Sequence, residues 1–257
     1  MRSPGGKAAL IVWPNIGEVQ RTERQLAWPA LLNARDLGGL RAKDGYTRFG
    51  AVVRSDSLYR LTDAGWAHLA TYGVTTILDI RTPNECRALP IRLRDATHYW
   101  NVPLLDDAAY ARVSRRFDME GDNYLWQLEH RPRRIDTILT AIADAPCGGV
   151  LVHCAAGKDR TGLITALVLT IAGVDRDLIA TDYALSAAAL IPMMEEHQAA
   201  ELDPTRRGRV RRMYQSPPEA MVGLLAELEM RHGDVVGYLR FAGVRKDVQE
   251  RIKARLV

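Results

Sequence analysis

His153-Cys154-Ala155-Ala156-Gly157-Lys158-Asp159-Arg160-Thr161-Gly162 is the stretch on which the reading of this chain turns. It follows the apolar run Gly149-Val150-Leu151-Val152 and precedes Leu163-Ile164-Thr165-Ala166-Leu167-Val168-Leu169. The pattern predicts a buried strand, a tight loop and a buried helix, with the loop at the strand's carboxyl end. Successive backbone amides in such a loop turn inward and form a nest for an anion. The helix N-terminus adds unsatisfied N–H groups and about half a positive charge. Arg160 can fork two N–H donors onto two oxygens of a tetrahedral anion. Cysteines at helix N-termini beside cations lose their proton more readily, so the same field favours the thiolate of Cys154. Ala155, Ala156, Gly157, Lys158 and Thr161 complete the candidate anion-binding set. Together they fit attack of Cys154 on a phosphate ester, through a cysteinyl-phosphate.

Length and composition set the frame around that loop. With 257 residues, 47% hydrophobic and 26% charged, the chain suits a single domain over 1–257. Cys86, Cys147 and Cys154 are too few and too unevenly spaced for a disulfide framework, which points to a reducing compartment. The first eighteen residues lack a signal-peptide pattern, and the longest apolar stretch, about 162–174, is too short to span a bilayer. The expectation is a soluble cytoplasmic protein, with non-classical export left open. A net charge of +4 is mild, but arginines gather at 131–134 and 206–212. Solvated surface is one reading of them. A basic rim for anionic substrate, or for peripheral contact with an anionic membrane, is the other. No nucleic-acid module accompanies the charge.

Strands are predicted at 51–55, 75–80 and 98–102, besides the one before Cys154. Lys43-Asp44-Gly45-Tyr46 reads as a hairpin turn, and Thr62-Asp63 opens a helix that ends near Gly73. Residues 104–145 read as a helical, lid-like insertion, its part 105–122 a mobile cover. Asp175 or Asp177 caps a helix through Ala189, and Pro192 bends or stops it. Residues 203–218 read as a basic loop, and helices at 219–231 and 247–256 flank a short segment at 234–241. Strands alternating with helices argue an open, mostly parallel α/β sheet flanked by helices. Ligands of such sheets bind beyond the carboxyl ends of the strands, where Cys154 and the pair Asp79/Arg81 lie.

Other loop chemistries fail. A Walker loop needs Ser or Thr after Gly157-Lys158 and a glycine at its start, whereas Asp159 and Val152 stand there. The six histidines make no ligand-spaced cluster, so no metal is expected, and no cofactor either. The ten-residue stretch resembles the signature loop of the cysteine-dependent protein tyrosine phosphatase superfamily. Its Lys158-Asp159-Arg160 version resembles the bacterial subgroup typified by mycobacterial protein tyrosine phosphatase B. Asn33-Ala34-Arg35-Asp36-Leu37-Gly38-Gly39, Leu78-Asp79-Ile80-Arg81-Thr82-Pro83-Asn84-Glu85 and residues 233–244 are similar to that subgroup too.

The resemblance implies a two-step hydrolysis of phosphorylated proteins, phosphotyrosine first, with phosphoserine, phosphothreonine and phosphoinositides as further substrates. Cys154 attacks phosphorus while Arg160 and the loop amides hold the equatorial oxygens. His153 orients the loop from behind. Thr161 either donates its hydroxyl to the sulfur or is an ordinary helix N-terminal residue. The superfamily's usual Trp-Pro-Asp loop is absent. The resemblance therefore implies Asp159 as general acid, with Asp79 next, or holding Arg160 or a loop amide instead. Asp118 and Asp122 of the cover are further candidates. Lys158 either adds charge beside the phosphate or faces solvent. Asn33, Arg35 and Asp36 either shape the pocket floor or form a structural turn. Cys86 and Cys147 are ordinary buried thiols, or one of them protects Cys154 as a disulfide. A sulfurtransferase, an arsenate reductase and a non-catalytic phosphate-reading module are the competing classes. Thr161 and the Lys158-Asp159 pair speak against the first two, and the intact Cys154 and Arg160 against the third.

Overall fold

The computed structural model describes residues 23–94, 97–116 and 120–257, with side chains described outside 114–122. Most of the irregular lead-in expected over the first thirty residues lies outside them. So do Asp118 and the side chain of Asp122.

The central sheet has five strands in the order β1-β4-β7-β5-β6. These are β1 (Arg35–Asp36), β4 (Val52–Ser55), β5 (Val74–Asp79), β6 (His98–Asn101) and β7 (Gly149–His153). All neighbours run parallel except β1, which pairs antiparallel with β4 at the edge. β2 (Arg41–Ala42) and β3 (Gly45–Tyr46) form the predicted hairpin apart from it. A parallel strand covered on both faces needs a continuous apolar run, and β7 is buried at every residue.

Side-chain alternation divides the apolar residues between two cores. Val53, Ile77 and Leu151 face Trp28, Leu58, Trp66 and Leu69 on one side. Val52, Leu78, Val150 and Val152 face the larger core on the other. The helices are α1 (Asp63–Thr71), α2 (Pro83–Ala88), α3 (Asp107–Arg116), α4 (Glu120–His130), α5 (Pro132–Asp144) and α6 (Asp159–Ile171). They continue with α7 (Arg176–Ala189), α8 (Ile191–Ala200), α9 (Pro204–Met213), α10 (Pro218–His232), α11 (Val235–Ala242) and α12 (Lys246–Leu256). Helix α6 is buried from Arg160 to Leu169, which is why its sequence is apolar all round.

Several expectations change. The lid-like insertion at 104–145 is too generous, because Ile135, Ile138, Leu139 and Ile142 put α5 into the larger core. Within 104–145 the site is bordered by α3 and α4, through Tyr110 and Tyr124, and α3 packs through Ala109 and Val113. The basic loop at 203–218 holds helix α9, where Asp203 caps by accepting from Thr205 and Pro204 takes the first position. The short segment at 234–241 is helix α11, capped by Asp234. Pro192 does break the chain's course: α7 and α8 meet at a bend of 46°. No single helix among the described residues is long and apolar enough to cross a membrane.

Candidate active site

Strand β7 delivers the loop between its two neighbours. His153 pairs with Ser55 of β4 and Asp79 of β5 at the carboxyl ends of three parallel strands. Gly157 turns the chain back into α6 with φ +65°, and a Cβ there would lie 2.3 Å from the Ser55 carbonyl oxygen and 2.7 Å from the Asp56 nitrogen. Both are backbone atoms, so only glycine fits. The loop carbonyls are held from outside. Ser57 N–H donates to Ala155 (2.9 Å), Asn33 Nδ2 to Ala156 (3.0 Å) and Arg54 Nη2 to Gly157 (2.7 Å). In a planar trans peptide the N–H points opposite the C=O. The amides of Ala156, Gly157 and Lys158 therefore face the inner side of the loop, as in an anion-binding nest.

Cys154 and Arg160 are buried at the bottom of this cup, at 3% and 5% exposure. Arg160 donates from Nη1 and Nη2 to the two Glu85 oxygens at 2.6 and 2.7 Å, a fork-to-fork pair. The ring of Tyr110 on α3 lies 4.8 Å from the guanidinium carbon. Burial works against the charge of Arg160. Glu85 and the facing Cys154 outweigh it and raise the guanidinium above its ordinary range. Glu85 is itself fixed, accepting from Thr82 N–H at 2.8 Å in a capping box that starts α2.

Asp159 sits at the mouth with its side chain 41% exposed. Tyr124 of α4 donates to its Oδ1, and the Lys158 ammonium lies 3.3 Å from the same oxygen. Tyr124 also bonds Tyr183 of α7 at 2.7 Å, so the carboxylate ends a buried chain of hydroxyls.

A family model described as tyrosine phosphatase family matches residues 26–257. The chain belongs to that family. It is 34% identical over 221 residues to a tyrosine-protein phosphatase of Nostoc commune, covering 80% of this chain and 74% of that protein. It is 28% identical over 263 residues to the triple specificity protein phosphatase PtpB of Mycobacterium tuberculosis, covering 82% and 92%. This tyrosine phosphatase thus has the α/β architecture and the phosphate-ester chemistry that the loop suggested, and no finding favours the sulfurtransferase, arsenate reductase or non-catalytic readings.

Not every candidate residue of the phosphatase stands where the sequence suggested. Lys158 does not face solvent: it is 2% exposed, and Nζ donates to the carbonyls of Met213 and Gln215, both at 2.7 Å. Thr161 is fully buried and its hydroxyl has no hydrogen-bond partner, so no bond to the Cys154 sulfur is formed. His153 stands behind the loop, Nδ1 bonded to the Cys154 carbonyl at 3.0 Å and Nε2 facing Asp79 at 3.7 Å. Burial lowers the His153 pKa, against the pull of the Asp79 carboxylate, which raises it. Asp79 is fully buried and accepts from Arg81 and from Tyr99 (2.9 Å), so it neither reaches the loop's open side nor holds Arg160. Burial opposes its charge, but His153 and Arg81 hold its carboxyl below the ordinary range.

Of the early triplet, only Asn33 touches the loop. Arg35 bonds the Asn33 side chain, Asp182 and Ser186 beneath it. Asp36 organises a distant turn instead, accepting from the N–H groups of Gly38 and Gly50 and from the Tyr72 hydroxyl. Cys147 is exposed before the start of β7, the opposite end of the strand from Cys154. Seven extended residues span about 20 Å, far beyond disulfide reach. Cys86 is half-buried with its sulfur 3.5 Å from Asp79, and burial pushes its thiol up to about 11.

The residues that sequence reading missed are Glu85, Tyr124, Arg54 and Asp182. Arg54 holds the Gly157 carbonyl and, through Nη1, Asp182 at 2.8 Å. Asp182 also receives Arg24 and Arg35, so one carboxylate faces three buried guanidiniums. Burial opposes its ionisation, yet these arginines hold its carboxyl far below the usual range. The surplus positive charge lies behind the loop, against the Gly157 carbonyl.

Proposed function

We propose that this phosphatase hydrolyses phosphate monoesters with Cys154 as nucleophile, Arg160 and the loop amides as phosphate grip, and Asp159 as general acid and base. The observation that carries the reading is the placement of Asp159. It is the carboxylate at the open mouth of the cup, on the same helical turn as Arg160, and it is aimed by Tyr124. The Cys154 sulfur attacks phosphorus, and the S–P bond forms as the ester P–O bond breaks. Asp159 hands its proton to the leaving oxygen. Water then attacks phosphorus, returns a proton to Asp159 and expels the sulfur as thiolate. The unpartnered Thr161 hydroxyl is available to donate to that thiolate, and a buried donor without a partner gains most from such a bond.

In this reading Asp79 is a positioning group for His153, and Lys158 orients Asp159 rather than holding phosphate. Phosphotyrosine proteins are the primary substrates. Phosphoserine, phosphothreonine and phosphoinositides extend the range, as the triple specificity in the mycobacterial relative's name suggests. Three free thiols, one of them the nucleophile, suit a reducing cytoplasmic location.

Phosphate release from aryl phosphates of graded leaving-group pKa, phosphopeptides and a phosphoinositide panel tests the assignment. Cys154→Ser should abolish turnover on every substrate. Asp159→Asn should slow poor leaving groups by about 100-fold or more while sparing good ones, the usual range for lost acid catalysis. Equal slowing of both would remove Asp159 from the role.

A further inference from the structure

Helix α9 is an unusual element to find beside a catalytic loop. Its ten residues carry Arg206, Arg207, Arg209, Arg211 and Arg212 with no acidic residue among them, and none of its side chains is buried. At about 100° per residue these arginines point to all sides of the helix. Arg206 is paired with Asp203 at 3.6 Å, and Arg207 donates to the Glu201 carbonyl at 2.8 Å. Arg211 and Arg212 make no side-chain hydrogen bond or ion pair among the described residues, and both are exposed.

These two stand on the turn that meets the active site. The next residue, Met213, gives its carbonyl to the Lys158 ammonium, as does Gln215. Tyr214 between them is buried, its hydroxyl on His197 of α8 at 2.6 Å. Lys158 is the residue before Asp159. The last turn of α9 is therefore tied to the catalytic loop, with two unpaired cations on it.

We propose that Arg211 and Arg212 determine peptide specificity, drawing phosphopeptides whose residues beside the phosphorylated one are acidic. This rests on the phosphatase reading above. An extended peptide advances about 3.3 Å per residue, so side chains two to four positions from the buried phosphate lie about 7–13 Å away, at the rim. A bilayer is the weaker partner: a flat anionic surface engages cations on one face only, and interfacial helices pair a basic face with an apolar one. Arginines on every side of α9, whose apolar side chains are limited to Pro204, Val210 and Met213, fit a flexible acidic chain instead.

The test compares one phosphotyrosine core peptide with Asp/Glu, Gln/Ser or Lys flanks, using the full chain. Wild type should show kcat/KM at least 5-fold higher for the acidic version, the preference fading as salt rises from 50 to 500 mM because exposed charges are screened. In Arg211→Glu/Arg212→Glu the preference should vanish or invert, carried by KM, while turnover of a small aryl phosphate is unchanged. Binding of the same peptides to Cys154→Ser reads the preference without turnover, so an inactive wild type would sink the phosphatase reading and still leave this proposal testable. Equal affinity for all three peptides would overturn it. So would a double variant that slows the aryl phosphate as much as the acidic peptide. A variant that loses binding to phosphatidylserine vesicles but keeps the peptide preference would assign the arginines to lipid and overturn it as well.

Discussion

Glu85 shows at the scale of one residue what the catalytic loop does not contain. Arg160 is buried, and both its Nη atoms are committed to the two Glu85 oxygens. Removing one member of a buried, hydrogen-bonded pair leaves the other charge unpaired and free to rotate. Glu85→Ala should therefore lower kcat/KM for all substrates together, on the order of 10- to 100-fold, because the grip on phosphate and not on the leaving group is lost. An aryl phosphate series would show it as a uniform drop; a drop confined to poor leaving groups would contradict it. Asp56, beside the loop, makes a separate prediction. Burial pushes its carboxyl up to about 6, although it accepts from Leu32 and Asn33 N–H. Between about pH 4 and 6 the folded chain keeps a proton that the unfolded chain has released, so stability falls as pH rises through that window, by roughly 3 kcal/mol in total. Asp56→Asn keeps an acceptor and removes the titration. Its Tm relative to wild type should rise from pH 4 to pH 6.5 and then level off; a difference independent of pH would contradict this. The loop that brings Cys154, Asp159 and Arg160 together was legible because the three stand within seven positions between a buried strand and a buried helix. Glu85 was not legible as part of the site, because the arginine it holds lies 75 residues further on.

Elements were readable where periodicity and caps agreed, and misread where charge concealed a cap. Strands β5, β6 and β7 are apolar or aromatic runs of the expected length, and Thr62 and Asp175 cap the helices they were expected to cap. In α9 the arginines made the segment look like a loop, although Asp203-Pro204 is a regular helix start. Helix α5 was grouped with the lid-like insertion at 104–145 because charge concealed its apolar face: Arg131 to Arg134 drew attention from Ile135, Ile138, Leu139 and Ile142 behind them. The position of α9 gives Lys158 its meaning. A lysine in a phosphate loop reads as charge for the substrate, yet its ammonium is spent on two backbone carbonyls at the end of that helix. Lys158→Met should then untie the 213–215 segment. Limited proteolysis is expected to cut within 201–216 several-fold faster than in wild type, with the central sheet still protected. Unchanged cutting with a raised KM for every substrate would instead make Lys158 a phosphate ligand.

Across the whole molecule, Asp182 joins parts of the chain that are remote in sequence. It receives Arg24 near the start of the described residues, Arg35 of the edge strand β1 and Arg54 of β4, while its own helix α7 packs behind the catalytic helix. Arg35 shows the strain of this crowd: burial, and then Arg54, bring its pKa down to about 9, still protonated at neutral pH. Nothing in the local sequence marks an aspartate in mid-helix as the counter-ion of three arginines, because the contacts span 128 to 158 positions. The cluster has a net positive charge, and Arg54 passes it to the loop through the Gly157 carbonyl. In the proposed reading, folding and phosphate binding share one electrostatic centre. Asp182→Asn preserves the volume but leaves three buried guanidiniums facing no anion, a loss of about 3–5 kcal/mol. That corresponds to a fall in Tm on the order of 10 °C for a chain of this size. The fall should shrink when inorganic phosphate is added, since an anion in the loop partly replaces the missing carboxylate, so phosphate should raise the Tm of Asp182→Asn more than that of wild type. Thermal melts of both proteins with and without phosphate measure this. An Asp182→Asn loss unaffected by phosphate would mean that the cluster supports the fold alone and that its charge does not reach the catalytic loop.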